Sequence, residues 1–351
     1  MKTFVKIGAV VLGLAALFGG SFFIASLVQK KLTTQQTIEG AGEAISRIEI
    51  EASNSVRESV IEDAVPDDVM EWNGHKYALN GNIDCLLIMG LDDNEIIDYE
   101  AEGKNRNLAC ADLILLAVFN KDTHTYNLLQ INRDTMCEVM TYDSLNHFAK
   151  MKTTQICLSH TYRTRHEDAC EDTEFAVSHL LYDIDIDNYF ALTMDSISII
   201  NDSVGGVTVP IEDDFSEIDP SFVKGSTITL MGDQAETYVR SRMNVVNDPT
   251  NVNRMKRQRL YMSTLLPILG QNASESSSFA MDLFNQLGPY MITDCSYDQL
   301  TNYITQFSGY TLDKIVTPEG RNVVGEKHYE FYIDDASLKQ IVIELFYIQI
   351  D

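Results

Sequence analysis

Three apolar runs of strand length constrain the fold of this chain more than any other feature. They occupy residues 83–90, 113–119 and 126–131, and each is mostly apolar. A strand exposed on one face alternates apolar and polar residues, so near-continuous apolar strands predict a sheet buried on both faces. Residues 173–181 and 338–346 have the apolar spacing of helices. Strands alternating with helices predict an α/β layered fold.

The chain from residue 79 onwards is long enough to bury one large core. Residues 79–275 form the predicted main domain, and residues 276–351 form a predicted helical extension of the same globular unit. Together these roughly 270 residues suffice for a single core. Residues 29–78 are polar with scattered apolar positions, and they predict a stem or linker ahead of that core.

One segment near the amino terminus has the length and composition of a membrane span. No charged residue occurs between Ile7 and Val28. At about 1.5 Å per residue, this stretch reaches roughly 33 Å as a helix, enough for a hydrocarbon core of about 30 Å. The alternative is a cleaved signal peptide, whose apolar region is usually shorter and ends in a small-residue cleavage site. We therefore expect an uncleaved single-pass anchor over residues 1–28, with a cytoplasmic amino terminus and an extracytoplasmic bulk.

Arginine is concentrated in one short stretch of an otherwise acidic chain. The protein carries 26 basic and 52 acidic side chains, a net charge of −26, which argues against nucleic-acid binding. Residues 238–259 nevertheless contain five arginines and one lysine, with Asp248 as the single acid. Arginine donates two parallel hydrogen bonds to phosphate and stays charged at any working pH. The stretch predicts a phosphate-binding pocket, although a solvated helix face paired with acids remains the alternative.

Acidic side chains stand at the ends of the predicted strands. Asp92 follows the first strand, Asp112 begins the second, and Arg133 and Asp134 follow the third. Ligands of parallel α/β sheets bind at the carboxyl ends of strands. Asp112 stands at a strand start, so it reaches the same edge only if its strand is antiparallel to a neighbour. Carboxylates gathered with arginines predict Mg²⁺ held beside a phosphate.

Six cysteines lie beyond the apolar amino-terminal segment. None of them forms a Cys-x-x-Cys pair, which argues against a zinc or thioredoxin-type site. Cys85 and Cys110 lie in or beside apolar runs and are expected to be buried thiols. Cys157 and Cys170 flank a polar loop, and they could form a disulfide in an oxidising compartment.

Six short motifs in a particular order carry more information than any one of them alone. They read GLD at 90–92, DLILL at 112–116, INRDT at 131–135, DSVGGVTV at 202–209, GDQAETYVRSR at 232–242 and RMKRQ at 254–258. This order, behind one apolar segment, resembles the LytR-CpsA-Psr family over roughly residues 80–270. The resemblance implies an α-β-α layered domain with a central, largely buried mixed sheet. Asn132 and Asn253 depart from the Pro and Gly that are common in the family at these positions.

The resemblance also implies a function. Members of the family use magnesium to transfer wall polymers from polyprenyl-pyrophosphate carriers onto peptidoglycan, at the outer face of the bacterial membrane. This chain would then be an anchored phosphotransferase whose partners are the polyprenyl-pyrophosphate-linked glycopolymer, the peptidoglycan acceptor and the membrane. Asp92 and Asp112 would bind Mg²⁺. Arg133, Asp134 and Asp248 would be catalytic, with Asp134 orienting Arg133 and Asp248 a possible base. The implied pyrophosphate-binding residues are Arg133, Arg240, Arg242, Arg254, Arg257 and Gln258.

Two other functions would use the same residues. A hydrolase that releases lipid phosphate without an acceptor needs the same arginines and acids, and only an acceptor assay separates it from a transferase. A non-catalytic anchored module that holds anionic wall polymers would not need Asp92 and Asp112, and both are present. Lys152 and His160 fall between the motifs and could line the same cleft.

Overall fold

A computed structural model of the protein describes residues 69–104, 106–241, 250–307, 310–326 and 328–351. The predicted anchor, the stem up to residue 68, and the site residues Arg242 and Asp248 lie outside these ranges. Within them, no helix combines the length and apolar character needed to cross a bilayer. The described chain divides into two compact units, Gly81–Leu345 and residues 69–80 with Phe346–Asp351.

The described chain begins with seven strands in succession, and strands and helices are interspersed after them. The strands are β1 (Val69–Trp72), β2 (His75–Leu79), β3 (Ile83–Leu91), β4 (Ala111–Asn120), β5 (Thr125–Ile131), β6 (Met136–Tyr142), β7 (Phe148–Gln155), β8 (Asn188–Leu192), β9 (Val207–Pro210), β10 (Thr227–Leu230), β11 (Met291–Thr293), β12 (Thr311–Val316), β13 (Gly320–Val324), β14 (Tyr329–Ile333) and β15 (Tyr347–Gln349). The α-helices are α1 (His166–Leu180), α2 (Asp195–Ser203), α3 (Asp233–Arg240), α4 (Val252–Glu275), α5 (Ser277–Leu287), α6 (Tyr297–Phe307) and α7 (Asp335–Phe346). Short 3-10 helices occupy Ile156–Thr161 and Gly288–Tyr290.

The larger unit is built on a six-stranded sheet in the order β11-β8-β3-β4-β5-β12. β3 is parallel to β8, and β5 is parallel to β12. β4 is antiparallel to both β3 and β5, and β11 is antiparallel to β8. The sheet is therefore mixed, as predicted. The three apolar runs form its neighbouring strands β3, β4 and β5. Strands in the middle of a sheet that is buried on both faces have such continuous apolar sequences.

Both faces of this sheet are buried, which confirms the expectation from the apolar runs. Successive side chains of a strand point to opposite faces. On β3, Leu86 and Ile88 join the core cluster that also contains side chains of α2, α3, α4 and α5. Leu87 and Met89, which alternate with them, are fully inaccessible as well. Outside this cluster, α1 touches β8 and β11, and the 3-10 helix Ile156–Thr161 touches β4.

Several elements differ from the sequence expectations. Residues 276–351 were expected to be helical, yet they also hold β11 and β12, the two edge strands of the central sheet. Both strands lack a strong apolar run, since β11 has three residues and β12 carries two charged side chains. β1 and β2 lie at residues 69–79, inside the segment expected to be mostly stem. α1 begins at His166, seven residues before the predicted helix. Its first two turns are mostly polar, so the apolar spacing in the sequence did not reveal them.

Gly206 is required by the turn between α2 and β9. Its φ is +93°, and a Cβ placed there would meet Met231 Sδ at 2.5 Å and Leu230 O at 2.7 Å. Gly205 has a φ of +77°, but a Cβ there would meet nothing within 4 Å. Backbone strain therefore acts at both positions, whereas overlap with neighbouring atoms acts only at Gly206.

We expect Gly206→Ala to lower the free energy of unfolding by about 3 kcal/mol, against about 1 kcal/mol for Gly205→Ala. Urea denaturation of the two variants beside the native protein measures the difference. Equal losses would mean that the neighbours of Gly206 yield to a methyl group, and that the close approach is not a packing constraint.

Candidate active site

The end of β3, the start of β4 and the end of β5 meet at one edge of the central sheet. Gly90 is opposite Leu113, and Ile114 is opposite Ile131. Because β4 is antiparallel to both neighbours, Asp112 at its start reaches the same edge as the residues that follow β3 and β5. A cleft of about 580 Å³ opens there. Its lining residues are Asp92, Asp112, Arg133, Glu236, Thr237, Arg240, Ser241 and Arg254.

Asp112 is the buried centre of charge in this cleft. One carboxylate oxygen accepts a hydrogen bond from Arg133 Nη1, and the other accepts one from Arg254 Nη1 at 2.9 Å. The side chains of Asp112 and Arg254 are only 8% and 4% exposed. Charges so far from water depend on each other for stability. Asp134 lies 3.6 Å from Arg133 Nε and accepts a hydrogen bond from Gln155 Nε2, and its orienting role stays a prediction.

Arg240 lies on the solvent side of the cleft. Its Nη2 donates to Asp92 Oδ1 at 3.0 Å, and its Nη1 donates to Glu236 Oε1 at 3.1 Å. Burial alone lowers the pKa of Arg240, but the Asp92 and Glu236 carboxylates outweigh that effect and raise it. Arg240 is 44% exposed, so a phosphate oxygen can replace either carboxylate. Sequence reasoning missed Glu236, although its i, i+4 spacing to Arg240 on one helix was a signal.

Arg257 does not line the cleft. It donates from Nε to the Tyr238 carbonyl at 3.0 Å and from Nη2 to the Ser241 carbonyl, at the carboxyl end of α3. Its Cζ stands 4.4 Å from the centroid of the Phe215 ring. Burial lowers its pKa to about 10. These contacts position the helix that carries Arg240, whereas pyrophosphate binding by Arg257 stays a prediction.

Arg257→Lys tests this positioning role, and we expect it to lower the free energy of unfolding by about 2 kcal/mol. Lysine lacks the planar fork that reaches both carbonyls of α3 and stacks on Phe215. The exposed neighbour Lys256 offers a matched control, since Lys256→Arg keeps the charge and should change stability by less than about 0.5 kcal/mol. Urea denaturation and pyrophosphate titration are measured together. Weaker pyrophosphate binding with unchanged stability would place Arg257 among the phosphate ligands instead.

An apolar cavity of about 140 Å³ adjoins the polar cleft. It lies between the sheet, represented by Ile88 and Leu113, and the helices, represented by Ile200 and Tyr261. Asp112, Arg240 and Arg254 line both spaces. A ligand with an anionic head and an apolar tail would therefore find a complementary surface in each of two adjoining spaces.

Gln258 also lines the apolar cavity. Its Oε1 accepts a hydrogen bond from Gln130 Nε2 at 3.1 Å, and its Nε2 donates to the Val239 carbonyl at 3.3 Å. Arg259 Nη1 in turn donates to Gln130 Oε1 at 2.9 Å. This chain of bonds fixes the orientation of the Gln258 amide, while its predicted contact with pyrophosphate stays a prediction.

The structure does not place Lys152 or His160 in the lining of the cleft. Lys152 is exposed on β7, where it pairs in register with Val139. His160 is fully buried, with Nδ1 2.9 Å from the Ala109 carbonyl. Burial lowers the pKa of His160 to about 3, so the imidazole is neutral and structural.

All six cysteines fall in the described part of the chain, and all are free thiols. Cys157 and Cys170 are therefore not joined. The Cys170 thiol lies 3.6 Å from His160 Nε2, whereas the Cys157 thiol accepts a hydrogen bond from Arg133 Nη2 at 3.1 Å. Cys85 is buried as expected, and Cys110 is partly exposed.

Asp92 and Asp112 are oxygen donors of the cleft that a hard cation could use. Mg²⁺ usually takes one or two carboxylates and completes its shell with water and substrate phosphates. In the described ranges, no three acidic, histidine or cysteine side chains converge into a ready-made cage. Two carboxylates in an arginine-lined cleft fit Mg²⁺ that arrives together with a phosphate ligand.

The fold and the cleft define an α/β protein in which arginines and aspartates gather in a cleft beside an apolar cavity, at the edge of a mixed sheet. Comparison with known families gives this class a name. The profile of the LytR_cpsA_psr family matches residues 43–345, and the chain belongs to that family. The resemblance seen in the motifs is thereby confirmed.

Individual relatives agree with this assignment. The chain is 26% identical over 267 residues to the polyisoprenyl-teichoic acid–peptidoglycan teichoic acid transferase TagU of Bacillus subtilis (strain 168). This match covers 74% of this chain and 76% of the relative. It is 28% identical over 267 residues to TagU of Bacillus licheniformis, with the same coverage. TagT bound to LI-WTA superposes with a TM-score of 0.55 at 18% identity, covering 76% of this chain and 90% of TagT. The protein gbs0355 of Streptococcus agalactiae gives a TM-score of 0.58 at 18% identity, covering 75% and 86%. These structural likenesses show the shared fold.

Proposed function

We propose that this protein is a membrane-anchored phosphotransferase that moves a glycopolymer from a polyprenyl-pyrophosphate carrier onto peptidoglycan. The observation that carries the proposal is the shared lining of two spaces: Asp112, Arg240 and Arg254 border both the polar cleft and the apolar cavity. A lipid pyrophosphate has this same division between an anionic head and an apolar chain. The TagU relatives are named as transferases of teichoic acid from a polyisoprenyl-linked form to peptidoglycan, which supports the same reaction.

The arginines of the cleft do the electrostatic work of the proposed reaction. An acceptor hydroxyl forms a new O–P bond at the phosphorus that carries the glycopolymer, and the bridging P–O bond breaks. The glycopolymer leaves the carrier as a phosphodiester on peptidoglycan, and polyprenyl phosphate is released. Arg133, Arg240 and Arg254 surround the space where charge builds up on the phosphate oxygens. Fixed positive groups in a partly enclosed cleft stabilise that charge more than water does.

The carboxylates have two roles in this proposal. Asp92 and Asp112 would hold Mg²⁺, which would supply further positive charge against the phosphate oxygens. Asp92 is the more exposed of the two, at 39%, so its contact with Arg240 is readily exchanged. The acceptor hydroxyl must give up its proton to a base. Asp248, for which the sequence left a base role open, lies outside the described residues, and Glu236 lines the described cleft.

The decisive experiment uses the full-length protein in detergent. It is mixed with Mg²⁺, a synthetic polyprenyl-pyrophosphate-linked oligosaccharide and uncrosslinked peptidoglycan. We expect oligosaccharide joined to the glycan, with release of an equal amount of polyprenyl phosphate, and we expect a chelator to stop both. Glycan digestion followed by mass spectrometry detects the joined product.

Two other results would replace the proposal. Release of the lipid without a joined product, with every acceptor offered, would identify a polyprenyl-pyrophosphate hydrolase. Tight binding of the lipid-linked oligosaccharide without turnover would identify a polymer-binding module.

The predicted location, a single span at residues 7–28 with the bulk outside the cell, is tested separately by protease digestion of intact protoplasts. Protection of the bulk of the chain would contradict that location.

A further inference from the structure

The acid next to Asp92 in the chain, Asp93, has contacts of its own outside the lining of the cleft. The structure places Asp92 in that lining and does not place Asp93 there. The Asp93 carboxylate accepts a hydrogen bond from the Tyr99 hydroxyl at 2.6 Å. The Asp93 carbonyl accepts one from the Met194 N–H at 2.8 Å. The two consecutive acids therefore have different surroundings, and only Asp92 borders the space proposed for Mg²⁺ and phosphate.

We propose that Tyr99 is a positioning residue for Asp92: by holding the Asp93 carboxylate, it fixes the backbone from which the Asp92 carboxylate reaches Mg²⁺. The inference rests on the metal role that the proposed function gives to Asp92. It goes further by assigning a part in metal binding to a tyrosine that lies outside the lining of the cleft.

The backbone of the two acids is held from both sides. The Asp92 N–H donates to the carbonyl of Cys110, which directly precedes β4, at 2.9 Å. The bond from Met194 to Asp93 comes from the residue that directly precedes α2. The Asp92 side chain is 39% exposed and pairs with Arg240. Once Arg240 turns to a phosphate, the orientation of the Asp92 carboxylate depends on how firmly its own backbone is held.

Tyr99 has the surroundings of a fixed point. It is only 4% exposed, and its ring packs against the His166 ring of α1 with the centroids 5.7 Å apart. Its N–H donates to the Ile97 carbonyl at 3.0 Å, and its carbonyl accepts from the Lys104 N–H at 2.9 Å. His166 Nε2 lies 3.0 Å from the same Ile97 carbonyl, which ties the segment to α1 a second time. Tyr99 therefore connects α1 to the acid beside the proposed metal ligand.

A metal site with few protein ligands depends strongly on how those ligands are oriented. Mg²⁺ demands near-ideal octahedral geometry, and two carboxylates supply only part of its shell. Groups that orient a metal ligand without touching the ion change the metal affinity by about 10- to 100-fold when they are removed. The Tyr99 hydroxyl acts on Asp92 through the neighbouring Asp93, so we expect an effect at the lower end of this range.

Tyr99→Phe tests the role, because it removes the hydroxyl and keeps the buried ring. Binding of Mn²⁺, a paramagnetic substitute for Mg²⁺, to the full-length protein in detergent is measured from the EPR signal of the free ion. The Mn²⁺ that Asp92→Ala no longer binds defines the site. We expect Tyr99→Phe to weaken binding at this site by about tenfold. Urea denaturation confirms that the variant is folded.

Tyr142→Phe is the matched control. Tyr142 also donates to a carboxylate, Asp172 Oδ1 at 2.7 Å, but it does not line the cleft. We expect this variant to bind Mn²⁺ with native affinity. Native affinity in Tyr99→Phe, or an equal loss in Tyr142→Phe, would overturn the inference.

Substitutions of Asp93 separate positioning from direct metal binding. Asp93→Asn retains an oxygen that accepts from Tyr99, so it should keep the Mn²⁺ affinity within about threefold of native, whereas Asp93→Ala should lose about tenfold. Adding Tyr99→Phe to Asp93→Ala should cost nothing more, because the hydroxyl then has no carboxylate to hold. Equal losses in the two Asp93 variants would make Asp93 a ligand of the ion, and additive losses would mean that Tyr99 acts elsewhere. Either result contradicts the proposal.

The Mg²⁺ dependence of glycopolymer transfer distinguishes this inference from the proposed function. Tyr99→Phe should need about tenfold more Mg²⁺ for half-maximal transfer and should reach a nearly native rate when Mg²⁺ saturates. A native protein that binds no Mn²⁺ through Asp92 would refute the metal role and this inference together. A native protein that binds Mn²⁺ and transfers glycopolymer, with Tyr99→Phe unchanged in both assays, would refute the inference alone.

Discussion

Arg240→Ala is expected to lower the rate of glycopolymer transfer by about a thousandfold while the domain stays folded. Arg240 is the cleft arginine that is open to an incoming phosphate, since its side chain is 44% exposed. Its ion pairs join an exposed guanidinium to Asp92, which is 39% exposed, and to Glu236, which is 17% exposed, and each contributes about 1 kcal/mol to stability. Removing the guanidinium therefore removes charge from the reacting phosphate without removing much that holds the fold together.

Arg165 provides a matched control for this prediction. It too is an exposed arginine between two carboxylates, 3.6 Å from Glu167 and 4.0 Å from Asp168, but it does not line the cleft. We expect Arg165→Ala to change the transfer rate by less than about twofold and stability by less than about 1 kcal/mol. Steady-state transfer assays and urea denaturation are run on both variants. A normal rate for Arg240→Ala, or an equal loss for Arg165→Ala, would remove Arg240 from the site.

The sheet, and the charged residues that meet at one edge of it, could be predicted from the sequence. The strands β3, β4 and β5 are continuous in apolar residues because both faces are buried, and that pattern survives in the sequence alone. The placement of Asp112 followed from one condition, an antiparallel neighbour, and β4 satisfies it on both sides. The edge strands β11 and β12 could not be predicted from the apolar pattern, because a short edge strand has too few apolar residues to show one.

The roles of individual side chains in the cleft were harder to predict. Arg254 and Arg257 stand one helical turn apart, yet one contacts Asp112 and the other contacts backbone carbonyls at the end of α3. A motif records that an arginine is present and not which acceptor lies beside it.

Asp112→Ala is expected to abolish transfer and also to lower the free energy of unfolding by about 3 to 5 kcal/mol. From the motifs alone, one would expect a folded but inactive variant. The structure changes that expectation, because Asp112 is the shared partner of Arg133 and Arg254, whose side chains are only 13% and 4% exposed. Without the carboxylate, two buried guanidinium groups face each other with less compensation for their lost hydration.

The other cleft aspartate separates this effect from a general loss of charge. Asp92 is 39% exposed and pairs with the exposed Arg240, so Asp92→Ala should cost less than about 1 kcal/mol of stability. Millimolar phosphate should restore much of the stability of Asp112→Ala, because an anion that binds only the folded state between the two arginines shifts the unfolding equilibrium. It should do little for Asp92→Ala, in which Asp112 still neutralises both groups. Urea denaturation of both variants, with and without phosphate, decides the matter. Equal stability of the two variants would mean that Arg133 and Arg254 find other partners, and Asp112 would then be a ligand of the cleft without being its structural centre.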